Sequence, residues 1–298
     1  MVSNDTPCKY TARRFVGFTI ACALLFFCTS ATVAAPQHVV STFLCTDEYV
    51  FRLVPRAHIA ALSFEAGDRH PVVSTVADKV GGITQIHPST ETVLDLHPDL
   101  VVMYQDTMPR LHANLLALGV PVLDVPWANS VADIRKTTMM LGDKFGARKQ
   151  AQAMLAEMDA KLAEIHSAAP RPAVRALLYE PNGYAATDPV TQELMRVAGL
   201  VDAAPGLRPT RSGTIPVEAV IAAAPELLIL SGERGAEDSH AVLVQHHPAL
   251  ASLAGRTYSA WASLLPLSCP GPWSAEGAQT FSDLGRKARA LAKRQARN

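Results

Sequence analysis

Residues 89–103 read STETVLDLHPDLVVM, and residues 216–230, PVEAVIAAAPELLIL, follow the same plan 127 residues later. At that spacing Val93 meets Val220, Pro98 meets Pro225, Leu100 meets Leu227, and Asp99 meets Glu226. Each copy reads as a short helix with an acid, Glu91 or Glu218, in its first turn, where the helix dipole favours negative charge. A proline then halts the helix, and four apolar residues follow, the signature of a parallel strand buried on both faces. Two such units a small domain apart predict a duplicated chain with two α/β lobes.

The first residues stand outside that plan. Lys9, Arg13 and Arg14 precede an uncharged run from Phe15 to Ala35 that ends in small residues. This reads as a secretory signal peptide over residues 1–35, cut near Ala34 or Ala35, whose apolar core of about 14 residues falls short of a membrane span. Beyond it lie 24 basic and 26 acidic residues, a balance that offers no electrostatic footprint for nucleic acid. The expected product is periplasmic and monomeric. Cys45 and Cys269 are the cysteines left after cleavage. An oxidising compartment allows them to pair or to remain separate thiols, and the sequence does not choose.

The order of elements predicts a first lobe over 36–128, a helical segment over 129–169 and a second lobe over 170–298. Strands are expected at His38 to Phe43, His58 to Ser63 and Val120 to Val125, with a long polar loop from Phe64 to His87. Ser130 caps a helix, Gly146 interrupts it, and residues 147–166 continue with Met154, Leu155, Met158, Leu162 and Ile165 on one stripe, long enough to bridge two lobes. The second lobe opens with a strand at Val174 to Tyr179. Thr191-Gln192-Glu193 echoes Thr46-Asp47-Glu48 at a spacing of 145, so the first lobe holds 18 extra residues between its two motifs. A helix through Val242 to Gln245, a strand at Thr257 to Trp261 and a final amphipathic helix complete the chain. The fold class is α/β, two doubly wound Rossmann-like lobes joined by a single long helix.

In this order, LCTDE, two glutamate-led helix-proline-strand units, one connecting helix, YEPNGY and a terminal PGPW resemble the helical-backbone periplasmic binding proteins, over Gln37 to Lys293. Members of that family deliver ferric siderophores, haem or cobalamin to ABC importers. The resemblance implies a ligand cleft between two lobes that close by a small tilt. It also implies docking of Glu91 and Glu218 on a dimeric permease, for which pseudo-symmetric acids on two lobes suit a two-fold partner.

Ligands of open α/β sheets bind beyond the carboxyl ends of the strands. That rule selects Phe43, Leu44, Cys45, Phe64, Glu65, Tyr104, Gln105, Asp106 and Trp127 in the first lobe. In the second it selects Glu180, Tyr184, Glu233, Arg234 and Trp261. Aromatic faces with a few polar groups suit a large, flat metal chelate, a ferric siderophore or a corrinoid. Arg208 and Arg211 could clamp an anionic one.

Direct transition-metal or haem binding is the alternative, although His70, His87, His97, His246 and His247 lack metal-site spacing. No resident cofactor and no catalysis are expected, since GxSxG, GxxxxGK[ST] and HExxH are missing from the sequence. An exported hydrolase or transferase using acids such as Asp106, Glu180 and Asp188 is the remaining reading.

Overall fold

A computed structural model describes residues 35–69, 73–185, 187–207, 212–232 and 240–297. The expected signal peptide therefore lies outside the described residues, as do His70, Arg208, Arg211, Glu233 and Arg234. The described residues fold around two parallel sheets. The first contains β1 (Val39–Ser41), β2 (Ile59–Ser63), β3 (Gln85–Ile86), β4 (Leu100–Tyr104) and β5 (Val122–Val125), in the order β3-β2-β1-β4-β5. The second contains β6 (Val174–Tyr179), β7 (Leu200–Asp202), β8 (Leu227–Ser231) and β9 (Tyr258–Ala262), in the order β7-β6-β8-β9.

Setting β2-β1-β4-β5 against β7-β6-β8-β9 gives the same topology twice, with β3 as an added edge strand. The helices match too: α1 (Leu44–Leu53) with α6 (Pro189–Val197), and α2 (Thr90–Leu94) with α7 (Val217–Ala223), while α3 (Pro109–Ala117) connects β4 to β5. The repeated motif supplies the central strands β4 and β8. All five residues of β4 are buried, as are Leu227 to Leu230 of β8.

Backbone detail carries the 127-residue register further. His97 (φ 46°) and Ala224 (φ 39°) both adopt the left-handed conformation just before the matched prolines. The matched acids also share a task. Asp99 accepts hydrogen bonds from the backbone N–H groups of Gln37 (2.6 Å) and His38 (3.0 Å), ahead of β1. Glu226 accepts one from the N–H of Arg175 in β6 (2.9 Å). Each acid thus holds the amino end of the strand beside it, and this accounts for an acid directly after each proline.

Between the lobes run α4 (Val131–Lys144) and α5 (Arg148–Ala168), an antiparallel pair that belongs to both cores. Leu141, Phe145 and Ala151 are buried in the first lobe, whereas Val131, Ile134, Met158, Leu162 and Ile165 are buried in the second. The 21 residues of α5 span about 32 Å at the usual rise. A Cβ on Gly142 would sit 2.5 Å from that of Ala151, so glycine is what lets the two helices approach this closely. Glu193 of α6 accepts a hydrogen bond from the N–H of Val131 (2.9 Å), fixing the start of α4 to the second lobe.

A second tie accompanies the helices. After β9 the chain returns to the first lobe, where Cys269 is bonded to Cys45 of α1 (S–S 2.08 Å, Cα–Cα 5.0 Å). Trp273 meets Tyr49 edge to face (4.8 Å between centroids) and lies under the Arg52 guanidinium (4.3 Å). Its indole N–H donates to the Cys269 carbonyl (2.8 Å). Only then does α8 (Ser274–Gln295) pack along the second lobe. Cys269 and Trp273 belong to the core of the first lobe, although the order of elements assigned them to the second.

Three local expectations need correction. The stretch 64–87 is not merely a polar loop: Val76, Val80 and Ile83 are buried, and β3 lies within it. Buried Glu48 organises this stretch by accepting hydrogen bonds from Ser74 Oγ (3.1 Å), Thr75 N–H (2.6 Å) and Thr75 Oγ1 (2.6 Å). Residues 242–245 form no α-helix; a 3-10 turn over His240–Val242 leads to another over Pro248–Leu253, and the proline keeps His247 extended. An unexpected strand, β7, follows Gly199 and is only three residues long, too short to show a period in the sequence.

The bridge closes a span of 224 residues, so replacing Cys45 and Cys269 by alanine should lower unfolding stability by about 2–5 kcal/mol. Urea denaturation of residues 36–298 checks this; an unchanged midpoint would contradict the second tie.

Candidate functional site

At the carboxyl end of the first sheet, aromatic side chains gather from three strand ends. Phe43 is the residue before α1 and is half-buried; Tyr104 ends β4; Trp127 follows β5. The Tyr104 and Trp127 rings meet edge to face at 4.2 Å, and Phe43 lies 5.5 Å from Tyr104 and 6.3 Å from Trp127. The Trp127 indole N–H donates to the Gln105 carbonyl (3.0 Å), which sets the ring while leaving it 46% exposed. Tyr104 is the floor of the group, and burial pushes its hydroxyl up to about 12. Beyond β2, Phe64 stacks on His87 (4.2 Å) and stays 39% exposed.

The second sheet ends in a hollow of about 410 Å³. Behind β6, Pro181–Gly183 forms a tight turn in which Asn182 (φ 59°) and Gly183 (φ 78°) are left-handed. A Cβ on Gly183 would lie 2.9 Å from the Ile215 carbonyl oxygen, so the turn requires glycine. The N–H of Glu180 donates to the Tyr184 carbonyl (2.8 Å), which closes the turn and presents the Tyr184 ring 41% exposed. Glu180, Thr187, Asp188, Ser231, Ser263 and Ser268 are among the residues that line the hollow. Burial, and secondarily the charge of Asp188, raise the Glu180 carboxyl above the ordinary carboxylate range. Asp188 is itself occupied as the cap of α6, accepting from Thr191 N–H (2.9 Å) and Oγ1 (2.5 Å).

The two halves meet at the disulfide. Leu44 precedes Cys45 beside the aromatic group, and Ser268 precedes Cys269 at the rim of the hollow. Phe43 and Leu44 pack into the same core as Cys269 and Trp273.

Several expected ligand contacts are placed differently. Tyr104 is buried, so it supports Trp127 instead of facing a ligand. Cys45 has no free thiolate, its sulfur being bonded to Cys269. Trp261 turns to the far face of its sheet, stacking on His246 (4.9 Å) among Leu177, Tyr179 and Leu230. Strand alternation explains this, since adjacent residues of β9 point to opposite faces. Asp106 lies in a separate groove with His112 and Asp124, and Glu65 sits half-buried in the turn after β2. Arg211 lies outside the described residues. Thr187, Ser231, Ser263 and Ser268 were not among the expected residues, although Ser231 ends a strand and satisfies the rule used for the others.

Glu91 and Glu218 are exposed in the first turns of α2 and α7. The backbone N–H of Glu91 and, secondarily, Ser89 Oγ, which donates to its carboxylate (2.9 Å), hold Glu91 below its ordinary value. Among the described residues, no group of three or more His, Cys, Asp and Glu could hold a metal ion, and no helix is long and apolar enough to cross a membrane. A further hollow of about 340 Å³, lined by Arg52, Met154, Lys161 and Trp273, lies behind α1 and α5, away from the strand ends.

Comparison with known proteins bears on this geometry. A family model described as periplasmic binding protein matches residues 39–255. An ABC transporter substrate-binding lipoprotein, YvrC of Bacillus subtilis strain 168, whose own role is uncharacterised, is 26% identical over 137 residues. That match spans 45% of this chain and 42% of the relative, so the chain aligns with less than half of it. The periplasmic haem-binding protein RhuT of Roseiflexus sp. RS-1, in its apo form, is 19% identical with a TM-score of 0.64, over 87% of this chain and 100% of that one. The periplasmic vitamin B12 binding protein BtuF of Vibrio cholerae is 16% identical with a TM-score of 0.60, over 85% of this chain and 98% of that one. At these identities the solved structures speak for the fold.

Beneath the aromatic group, fully buried Asp47 accepts hydrogen bonds from Ser63 N–H (3.1 Å) and Oγ (2.5 Å), and burial pushes it up to about 7. A raised carboxyl means that the folded state keeps a proton the unfolded chain has released, so this contribution is full below about pH 4 and lost as pH rises through about 7. Asp47→Asn removes the titration, its Oδ1 still accepting from Ser63 N–H and its NH2 donating to Ser63 Oγ. Its stability relative to the parent, from urea midpoints, should therefore rise between about pH 4 and pH 8 by a kcal/mol or more; a falling difference would refute the assignment.

Proposed function

The chain belongs to the periplasmic binding protein family, and from that membership we propose that it captures a metal chelate between its lobes and hands it to an ABC permease. The observation that carries this reading is the placement of exposed aromatics. Among the described residues, Phe64, Trp127 and Tyr184 are the aromatics with substantial exposure, and each follows a strand's carboxyl end, two in the first lobe and one in the second. Large rings held out at strand ends suit a broad, partly apolar ligand. A bare ion would call for convergent small donors instead. The candidates are a ferric siderophore, a corrinoid and haem, and the protein's part is binding without turnover.

Delivery needs a contact surface on both lobes. Glu91 and Glu218 support it, because the duplication puts them at matched positions, exposed and free of cationic partners among the described residues. A permease built from two equivalent halves would meet both with the same basic surface.

Residues 36–298 titrated with ferric siderophores, cyanocobalamin, cobinamide and haemin should be thermally stabilised by one of them, by about 2.7 kcal/mol at 100 times its dissociation constant. No stabilisation by any would overturn the chelate reading. Charge reversal, Glu91→Lys or Glu218→Lys, should abolish transport in cells and leave the affinity of the purified protein within about twofold. A purified variant that binds markedly more weakly would argue against docking.

A further inference from the structure

The two halves of the cleft differ in charge as well as shape. The first is aromatic, while among the described residues the charged groups lining the second-lobe hollow are Glu180 and Asp188, both acids. Their situations are unlike. Asp188 is satisfied by Thr191, but the half-buried Glu180 carboxylate has no hydrogen bond or ion pair among the described residues, and its charged neighbour there is another acid. A half-buried carboxylate without a donor is costly to keep. In a binding site the missing donor is what a ligand brings, and the same carboxylate repels a ligand that brings negative charge.

Resting on the chelate reading above, we propose that Glu180, backed by Asp188, is the charge filter of this cleft. It selects a chelate that is neutral or cationic and turns N–H or O–H donors toward the second lobe, and it rejects polyanionic chelates. Tyr184, presented by the same turn, supplies the adjoining flat surface. Ser231, Ser263 and Ser268 around the hollow offer hydroxyls of either polarity, and Thr187, whose hydroxyl donates to Asp202, adds an acceptor, which suits amide or hydroxyl groups on a ligand rim. The turn Pro181–Gly183, closed by the Glu180 N–H to the Tyr184 carbonyl, holds the acid and the ring in one fixed relation. Selection by charge therefore needs no rearrangement of the wall.

The test is dissociation constants for residues 36–298, read from quenching of tryptophan emission, with four probes. These are ferrioxamine B (a monocation), ferric enterobactin (a trianion), neutral, amide-bearing cyanocobalamin, and haemin with its propionates. The tightest binder should be neutral or cationic, about tenfold or more ahead of the best polyanion. Glu180→Gln should shrink that ratio about tenfold, while circular dichroism and the melting temperature report that the variant is folded. Glu180→Ala is the second variant if Glu180→Gln does not fold. A polyanion as tightest binder overturns the proposal, and so does a ratio unchanged in the variant. If none of the four binds, the chelate reading itself fails; if a polyanion binds best, that reading stands and the charge filter alone falls.

Discussion

Five residues, Cys269 to Trp273, pinned against the first helix, govern how far the two lobes can move apart. A helical pair alone would be a hinge with one edge free. The disulfide to Cys45, the Trp273 indole against Tyr49 and the guanidinium of Arg52 above it close the other edge. Arg52 is in turn ion-paired with buried Glu48, which also gathers Ser74 and Thr75. The pin is therefore continuous with the inside of the first lobe. Because both cleft halves border it, through Leu44 on one side and Ser268 on the other, the pin that limits opening also sets the distance between the aromatic wall and the acidic one.

Duplication explains the rest of the frame economically. One βαβ plan used twice gives two sheets of the same order, and the acid after each proline, Asp99 or Glu226, fastens the first strand of its own lobe. The copies then diverge at the strand ends that border the proposed cleft. The first has the added stretch 64–87 with its buried valines and β3, while the second has, between β6 and α6, a tight turn with Glu180 and Tyr184 where the first passes almost directly from β1 into α1. Matched outer acids and unmatched inner walls are what a carrier requires if it must dock symmetrically and bind an asymmetric ligand.

Much of this was legible in the residues, for identifiable reasons. Apolar runs bounded by proline or glycine located β4, β6 and β8, and the stripe from Met154 to Ile165 located the backbone helix, because both signals are local and periodic. The fate of Cys45 and Cys269 was not legible, since pairing depends on a Cα separation created by a chain return across 224 residues. Strand-end reasoning put Phe64, Trp127, Glu180 and Tyr184 beyond the strands, yet it could not tell Trp261, which turned to the far face, or Tyr104, which sank beneath Trp127. Position along a strand says which end a residue occupies; only packing says which way it points.

Two lobes held by a helical pair and a pinned return segment should keep the cleft between them nearly preformed. Leu116 on the first lobe and Val201 on the second are exposed and remote from the cleft lining. Spin labels placed at these two positions, with the native disulfide intact, report the interlobe distance by pulsed electron resonance. One narrow distribution that moves by no more than about 2 Å when ligand is added is the expected result. A broad or two-peaked distribution that collapses on binding would contradict the account.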